Sequence, residues 1–177
     1  MSLKIVFVSH STTFDNEKKR ASGWNDVLLS ELGEKQAEEL GQRQKNEQYD
    51  AVFASDLIRS VKTAQIAFKG RNIPLIRDRR LRECDYGDMT GYPNADVEVE
   101  KPKRLETPFP NGESYLQTNC RMKAFLDETK QRYENGRILI VGHRATQYAL
   151  EHLLNAIPME RLLTEKFVWR PSFEYEM

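Results

Sequence analysis

Hydrophobic and polar positions follow two rhythms along this chain. Short, nearly continuous apolar runs read as strands buried on both faces, and apolar residues at three- and four-residue spacing read as amphipathic helices. Leu3-Lys-Ile-Val-Phe-Val8 is the first strand. From Ser30 to about Asn46 the spacing predicts a helix with Leu32, Ala37 and Leu40 on one side. Ala51-Val-Phe-Ala54 is a second strand, and Leu57, Val61, Ala64 and Phe68 then recur at helical spacing. Ile73-Pro-Leu-Ile76 is a short third strand, assigned to an edge because Pro74 cannot donate to a sheet ladder. Ser114-Tyr-Leu-Gln117 has the form of a capping box and should open a helix that buries Tyr115, Met122, Phe125, Leu126, Thr129 and Tyr133. Arg137-Ile-Leu-Ile-Val141 is a further strand, followed by Gly142-His143 and a helix through Leu153 or Leu154. The tail, with Phe167, Trp169 and Tyr175, is read as adding a final strand.

This alternation predicts an α/β fold, a three-layer sandwich with a mostly parallel sheet and helices on both faces. With 177 residues and no repeat or low-complexity linker, residues 1–177 are expected to form a single domain. Its main interruption is the polar stretch at about 78–111, broken by Pro93, Pro102, Pro108 and Pro110, which reads as a partly helical excursion carrying function rather than core. Ligands of parallel sheets sit beyond the carboxyl ends of the strands. Three candidate loci fall there: His10, the segment from Ser55 to Arg59, and His143.

Composition narrows the partners. Lys plus Arg and Asp plus Glu are both 27, so no global charge points to nucleic acid or to an anionic membrane. Cys84 and Cys120 form no spaced framework and read as free thiols. The first apolar run is too short for a signal-peptide core or a bilayer span, so the expected location is cytoplasmic. A homodimer is compatible with the sequence, and oligomeric state stays open.

The three loci suit phosphoryl transfer. A neutral imidazole, His10, can attack phosphorus and hold the group. A second imidazole, His143, protonated, can bind the oxygens as charge spreads over them. Arg59 offers a planar fork of donors at a helix start, and the helix N-termini after Ser55 and His143 add partial positive charge. Glu83, in the excursion, can protonate the leaving alkoxide, provided that dianionic phosphate raises its pKa. Taken singly, each residue has an ordinary reading: a structural histidine, a surface arginine, a glutamate paired with Arg80 or Arg82. His152, inside a helix, is left with that ordinary reading.

Several motifs, in order along most of the chain, break that tie. Val6-Phe-Val-Ser-His10-Ser-Thr-Thr13 with Asn16, Ala21-Ser-Gly-Trp24, Leu29-Ser-Glu-Leu-Gly33, Ser55-Asp-Leu-Ile-Arg59-Ser-Val-Lys-Thr63-Ala64, Leu81-Arg-Glu83-Cys-Asp-Tyr-Gly87, Pro110-Asn-Gly-Glu-Ser114 and Ile140-Val-Gly-His143 together resemble the histidine phosphatase superfamily, in its phosphoglycerate-mutase-like branch. The resemblance implies a metal-free, cofactor-free phosphatase whose expected partner is a small phosphorylated metabolite. His10 would be phosphorylated and then dephosphorylated by water, His143 and Arg59 would clamp the phosphate, Asn16 would contact its oxygens, and Glu83 would act first as acid and then as base.

The chain departs from the family pattern at the nucleophile. The arginine before the histidine is Ser9 here, and the glycine after it is Ser11. Loss of one charge-assisted donor should weaken phosphate binding by about 1.5–3 kcal/mol. It should slow turnover by roughly a hundredfold if the donor acts in the transition state. Arg144 follows His143 where the family commonly has a small residue, and it is a candidate replacement for the missing guanidinium; the alternative is that it points to solvent. Lys18, Lys19 and Arg20, and the series Arg77, Arg79, Arg80 and Arg82, are either steering charges or ordinary exposed faces. The expected phosphate-binding set is thus Arg59, Asn16, Ser9 and Arg144.

Two competing functions remain: a mutase, which shares the mechanism, and a catalytically impaired binding protein, suggested by Ser9. Other chemistries lack their residues. Thr90 and Leu126 stand where a cysteine phosphatase would need arginine after Cys84 and Cys120. Neither a Walker glycine loop, a Gly-x-Ser-x-Gly elbow nor a His-Glu-x-x-His pair occurs.

Overall fold

The computed structural model describes residues 2–177. Its centre is a sheet of β1 (Lys4–Ser9), β2 (Ala51–Ala54), β3 (Leu75–Arg77), β4 (Arg137–Gly142) and β5 (Phe173–Glu176), in the order β3-β2-β4-β1-β5. All pairings are parallel except that of β5, which runs antiparallel to β1.

The near-continuous apolar runs have their cause in burial on both faces. Along β1, Ile5 and Phe7 point to one side and Val6 and Val8 to the other, and all four are buried. On the first face they meet Met122, Phe125 and Leu126 of α5 (Tyr115–Arg132) and Ala149 and Leu150 of α6 (Arg144–Asn155). Phe53 and Phe125 pack edge to face there, with ring centroids 5.2 Å apart. On the second face Val52, Ala54, Leu139 and Val141 meet Leu40 of α2 (Glu31–Gln44) and Ala64 and Ala67 of α3 (Ile58–Ala67). This is the three-layer α/β sandwich that the rhythm of the chain predicts.

Two local expectations shift. Leu32 is exposed, because the inward stripe of α2 is Gly33, Ala37 and Leu40, and Leu32 stands roughly 100° around the helix from Gly33. The third strand is Leu75–Arg77, not residues 73–76, and it does form the sheet edge. Pro74 stays outside it and only accepts, from Val52 N–H at 2.9 Å. The capping box opening α5 forms as read, with Ser114 and Gln117 bonding each other's backbone N–H.

The excursion is a string of short pieces: 3₁₀ turns at Arg79–Leu81, Gly87–Met89 and Lys101–Arg104, and a helix, α4 (Asn94–Glu100). Val97, Tyr86 and Phe109 seat it on Tyr115, Tyr148, Met159 and Leu163 in a core of its own. The remaining helices are α1 (Phe14–Glu17) and α7 (Met159–Thr164). Among the described residues no helix is long and apolar enough to cross a membrane.

Candidate active site

Parallel pairing of β1 with β4 sets Ser9 opposite Gly142, so the next residue of each strand, His10 and His143, leaves the sheet at the same level. His10 N–H extends the ladder by one bond, to Gly142 O at 3.0 Å. The two rings lie 5.0 Å apart between centroids, tilted by 54°. Gly142 lets the end of β4 pack directly on Phe7 and on the first turn of α6: a Cβ there would stand 2.8 Å from the Phe7 ring and 3.0 Å from Thr146.

The loop after His10 is fixed by side chains from the facing helices. Ser11 N–H donates to Thr63 Oγ1 at 3.0 Å, and Thr12 N–H to Gln36 Oε1 at 2.9 Å. Gly33 lets α2 touch this loop, since a Cβ would lie 1.9 Å from Thr12 O. Thr13 and Asn16 then form a capping box that starts α1. Asn16 Oδ1 accepts from Thr13 N–H and from the Thr13 hydroxyl, both at 3.0 Å, which leaves its amide N–H₂ as donor.

His10 Nδ1 stands 2.8 Å from Ser11 O. A carbonyl can only accept, so Nδ1 carries the proton and Nε2 keeps its lone pair. Burial, with the nearby Arg59 charge, lowers the His10 pKa to about 3 against a weaker pull from Ser11 O, so the ring is neutral at neutral pH. His143 is likewise driven well below the usual histidine range, first by burial and then by Arg59 and His10. Its Nε2 pairs with Ser55 Oγ at 2.6 Å, while Nδ1 is buried without a hydrogen-bond partner among the described residues. Ser55 sits at the end of β2, next to β4, and takes its place through Ser60, whose hydroxyl donates to Val141 O at 2.6 Å.

Arg59, in the first turn of α3, is almost fully buried. Its two terminal nitrogens donate to Gly23 O at 2.7 Å and Asn25 O at 2.9 Å, so it holds the loop carrying Trp24 as well as facing the cleft. Burial lowers its pKa, opposed chiefly by Glu83, and a guanidinium starts so high that it stays charged.

Glu83 is buried, and Oε1 accepts from Cys84 N–H at 2.8 Å and Ala145 N–H at 3.1 Å. The second bond ties the excursion to the first turn of α6, directly after His143. Neither Arg80 nor Arg82 pairs with Glu83: Arg80 binds Asp78 and Glu128, and Arg82 binds Asp56 and lies over Trp24. The holder of this loop is Arg121 on α5. It donates to the carbonyls of Arg80, Arg82 and Glu83 at 2.6, 2.8 and 2.9 Å, and to the Glu113 carboxylate. Trp24 Nε1–H adds a bond to Glu83 O at 2.7 Å.

His10, Glu83, His143, Arg59, Asn16, Ser9 and Arg144 all line one cleft of about 1110 Å³. Arg144 is in its wall, but NH1 binds Glu98 at 2.6 Å and the guanidinium lies 4.6 Å over Phe167. Lys18, Lys19 and Arg20 are exposed, and Arg20 donates to Gly91 O. His152 makes a local bond from Nδ1 to Ile157 O at 2.9 Å, in keeping with an ordinary structural histidine. Ser55 opens a quoted motif that carries no sign of its bond to His143, and Arg121, Glu98 and Lys101 have no signal in the motifs: a serine or a charged residue among many becomes a site residue only through its partners.

Residues 5–167 match the model of the histidine phosphatase superfamily (branch 1). The chain is similar to phosphoserine phosphatase 1 of Hydrogenobacter thermophilus, at 30% identity over 90% of this chain and 79% of that protein. It is similar to the 2,3-bisphosphoglycerate-dependent phosphoglycerate mutase of Allorhizobium ampelinum, at 30% identity over 93% of this chain and 85% of the mutase. Among solved structures, Bacillus stearothermophilus YhfR superposes with a TM-score of 0.85 at 26% identity, over 97% of this chain and 90% of that one. The protein therefore belongs to the histidine phosphatase superfamily, in its phosphoglycerate-mutase-like branch.

Proposed function

We propose that the protein is a phosphoric monoester hydrolase working through a phosphohistidine at His10, without a metal or other cofactor. The observation that carries this reading is the meeting of His10 and His143 at adjacent strand ends, 5.0 Å apart, with Arg59 and Glu83 in the same cleft. His10 Nε2 attacks phosphorus, and the bond from phosphorus to the ester oxygen breaks. Glu83 gives its proton to the departing oxygen; both of its protein bonds use Oε1, which leaves Oε2 for this task. Arg59, the Asn16 amide, the Ser9 hydroxyl and His143 Nδ1 hold the phosphoryl oxygens. The Ser55 hydroxyl on His143 Nε2 supports this, because it lets the His143 proton sit on Nδ1. A dianionic phosphoryl group also raises the pKa of both imidazoles relative to the empty site. In the second half, Glu83 takes a proton from water, water oxygen bonds phosphorus, and the bond to His10 breaks to release phosphate.

Ser9 supplies one hydroxyl where the family has a guanidinium, so turnover is reduced rather than abolished. Mutase relatives support a second reading, in which the phosphoryl group returns to a sugar acid instead of water. The open rim of the cleft supports hydrolysis: Val99 and Trp169, which line it, are 67% and 62% exposed. The test is hydrolysis of a panel of phosphorylated metabolites by the wild type and by His10→Ala. Release of phosphate by the wild type alone is expected; equal turnover by the variant refutes the assignment.

A further inference from the structure

Lys101 is the buried cation that the proposed chemistry does not use. Its side chain is 3% exposed, and its hydrogen-bond partner is Glu98 Oε1 at 2.6 Å. Arg144 NH1 binds that same oxygen, also at 2.6 Å. Two cations therefore share one carboxylate, and that carboxylate is itself 47% exposed, at the water-facing side of α4. An ion pair reaching into solvent adds little stability, whereas burying an ammonium is costly, so the pair does not repay the burial of Lys101. Burial first, and then the neighbouring Arg144 charge, lower the Lys101 pKa, against the opposing pull of Glu98 and Glu83.

The position of the pair is specific. Glu98, Lys101 and Arg144 line the cleft that holds His10 and His143. Arg144 immediately precedes Ala145, whose N–H binds the Glu83 carboxylate, so the cations lie beside the proton donor, where the leaving group departs. Phe167 and Tyr148 back them with ring faces, at 4.6 Å from the Arg144 guanidinium carbon and 5.9 Å from Lys101 Nζ.

We propose that Lys101 and Arg144 form a subsite for a second anionic group, a carboxylate or a phosphate, carried by the leaving group, and that Glu98 caps this subsite until the substrate oxyanion displaces it. The inference rests on the proposed hydrolysis and adds its selectivity. It assigns Arg144 to the leaving group rather than to the transferred phosphoryl group. Lys101 Nζ has donors to spare after its bond to Glu98, and the Arg144 fork can take an oxyanion in bidentate fashion.

The test uses three-carbon substrates that differ at one end: glycerol 3-phosphate, 3-phosphoglycerate and 1,3-propanediol bisphosphate. The readout is the ratio of kcat/KM for each anionic substrate to that for glycerol 3-phosphate. The wild type is expected to prefer at least one anionic substrate by roughly tenfold or more, and which one identifies the oxyanion. Lys101→Met keeps the stem against Tyr148, and Arg144→Met removes only the fork; each should collapse the ratio by about tenfold, mainly through KM. Glu98→Gln, at a half-exposed position that tolerates change, should raise the affinity for the anionic substrate several-fold. A wild type without preference, an unchanged ratio in both cation variants, or no gain in Glu98→Gln overturns the subsite. Calorimetric binding of the same three ligands to His10→Ala reads the preference without turnover, so failure of the hydrolysis reading and failure of the subsite are told apart.

Discussion

The two walls of the cleft are built in different ways. The strand-end wall, with His10, His143 and Ser55, inherits its geometry from the parallel ladders of β1, β4 and β2, and many backbone bonds share the work. The opposite wall is the excursion that carries Glu83, and there a few side chains hold the backbone: Arg121 takes three carbonyls and Trp24 a fourth bond. In a ladder-built wall a single substitution removes a chemical group and leaves its neighbours in register. In a side-chain-built wall a substitution far from the reacting atoms moves the group itself.

Four substitutions or titrations sharpen that contrast. Glu83→Gln removes the proposed proton donor without moving its wall. Hydrolysis of alkyl phosphates should fall by roughly 10²–10⁴-fold, while aryl phosphates, whose leaving groups need less protonation, should lose far less; parallel kcat measurements on the two classes check this. Arg121→Met leaves Glu83 in place chemically but unties its loop and strands the Glu113 carboxylate. Turnover of alkyl phosphates should drop by about a hundredfold, and thermal unfolding should move to lower temperature. Ser9→Arg tests the ladder-built wall in the other direction. It should raise phosphate affinity by about 1.5–3 kcal/mol, read by inhibition with inorganic phosphate, with a matching gain in kcat/KM.

The smallest effect is on stability. His10 and His143 are held neutral in the fold, His10 down to about pH 3, whereas both protonate near pH 6.5 in the unfolded chain. Between those values the unfolded state binds more protons. Their contribution is therefore intact above about pH 6.5 and declines as pH falls toward 3, by at most about 1.4 kcal/mol per pH unit for each ring. Denaturant unfolding of the wild type and of His10→Gln at pH 7 and pH 5 checks the sign: the variant should lose less on acidification.

The same contrast explains what could be read from the chain. The strand-end wall is legible because apolar runs such as residues 3–8 and 137–141 place His10 and His143, shortly after them, at the carboxyl ends of strands. Ser9 and Ser11 stand out only by comparison with the family's nucleophile motif. The excursion was legible only as an interruption. Its proline-broken polar run does not encode which arginine holds which carbonyl, and nothing in the sequence separates Arg121 from the other charges of α5 or Lys101 from the basic residues that follow it. Leu32 falls outside the buried face because α2 buries a stripe set by Gly33, whose lack of a side chain, invisible to a hydrophobicity count, is what brings that face inward.

The central claim is that His10 Nε2 carries the phosphoryl group during turnover. The direct measurement is rapid acid-free quenching of the enzyme with a fast aryl phosphate, followed by intact-protein and peptide mass spectrometry. The account predicts one added phosphoryl group, stable to alkali and labile to acid, on the peptide containing His10, and none in His10→Ala. Steady hydrolysis with no such adduct, or an adduct on another residue, would contradict it.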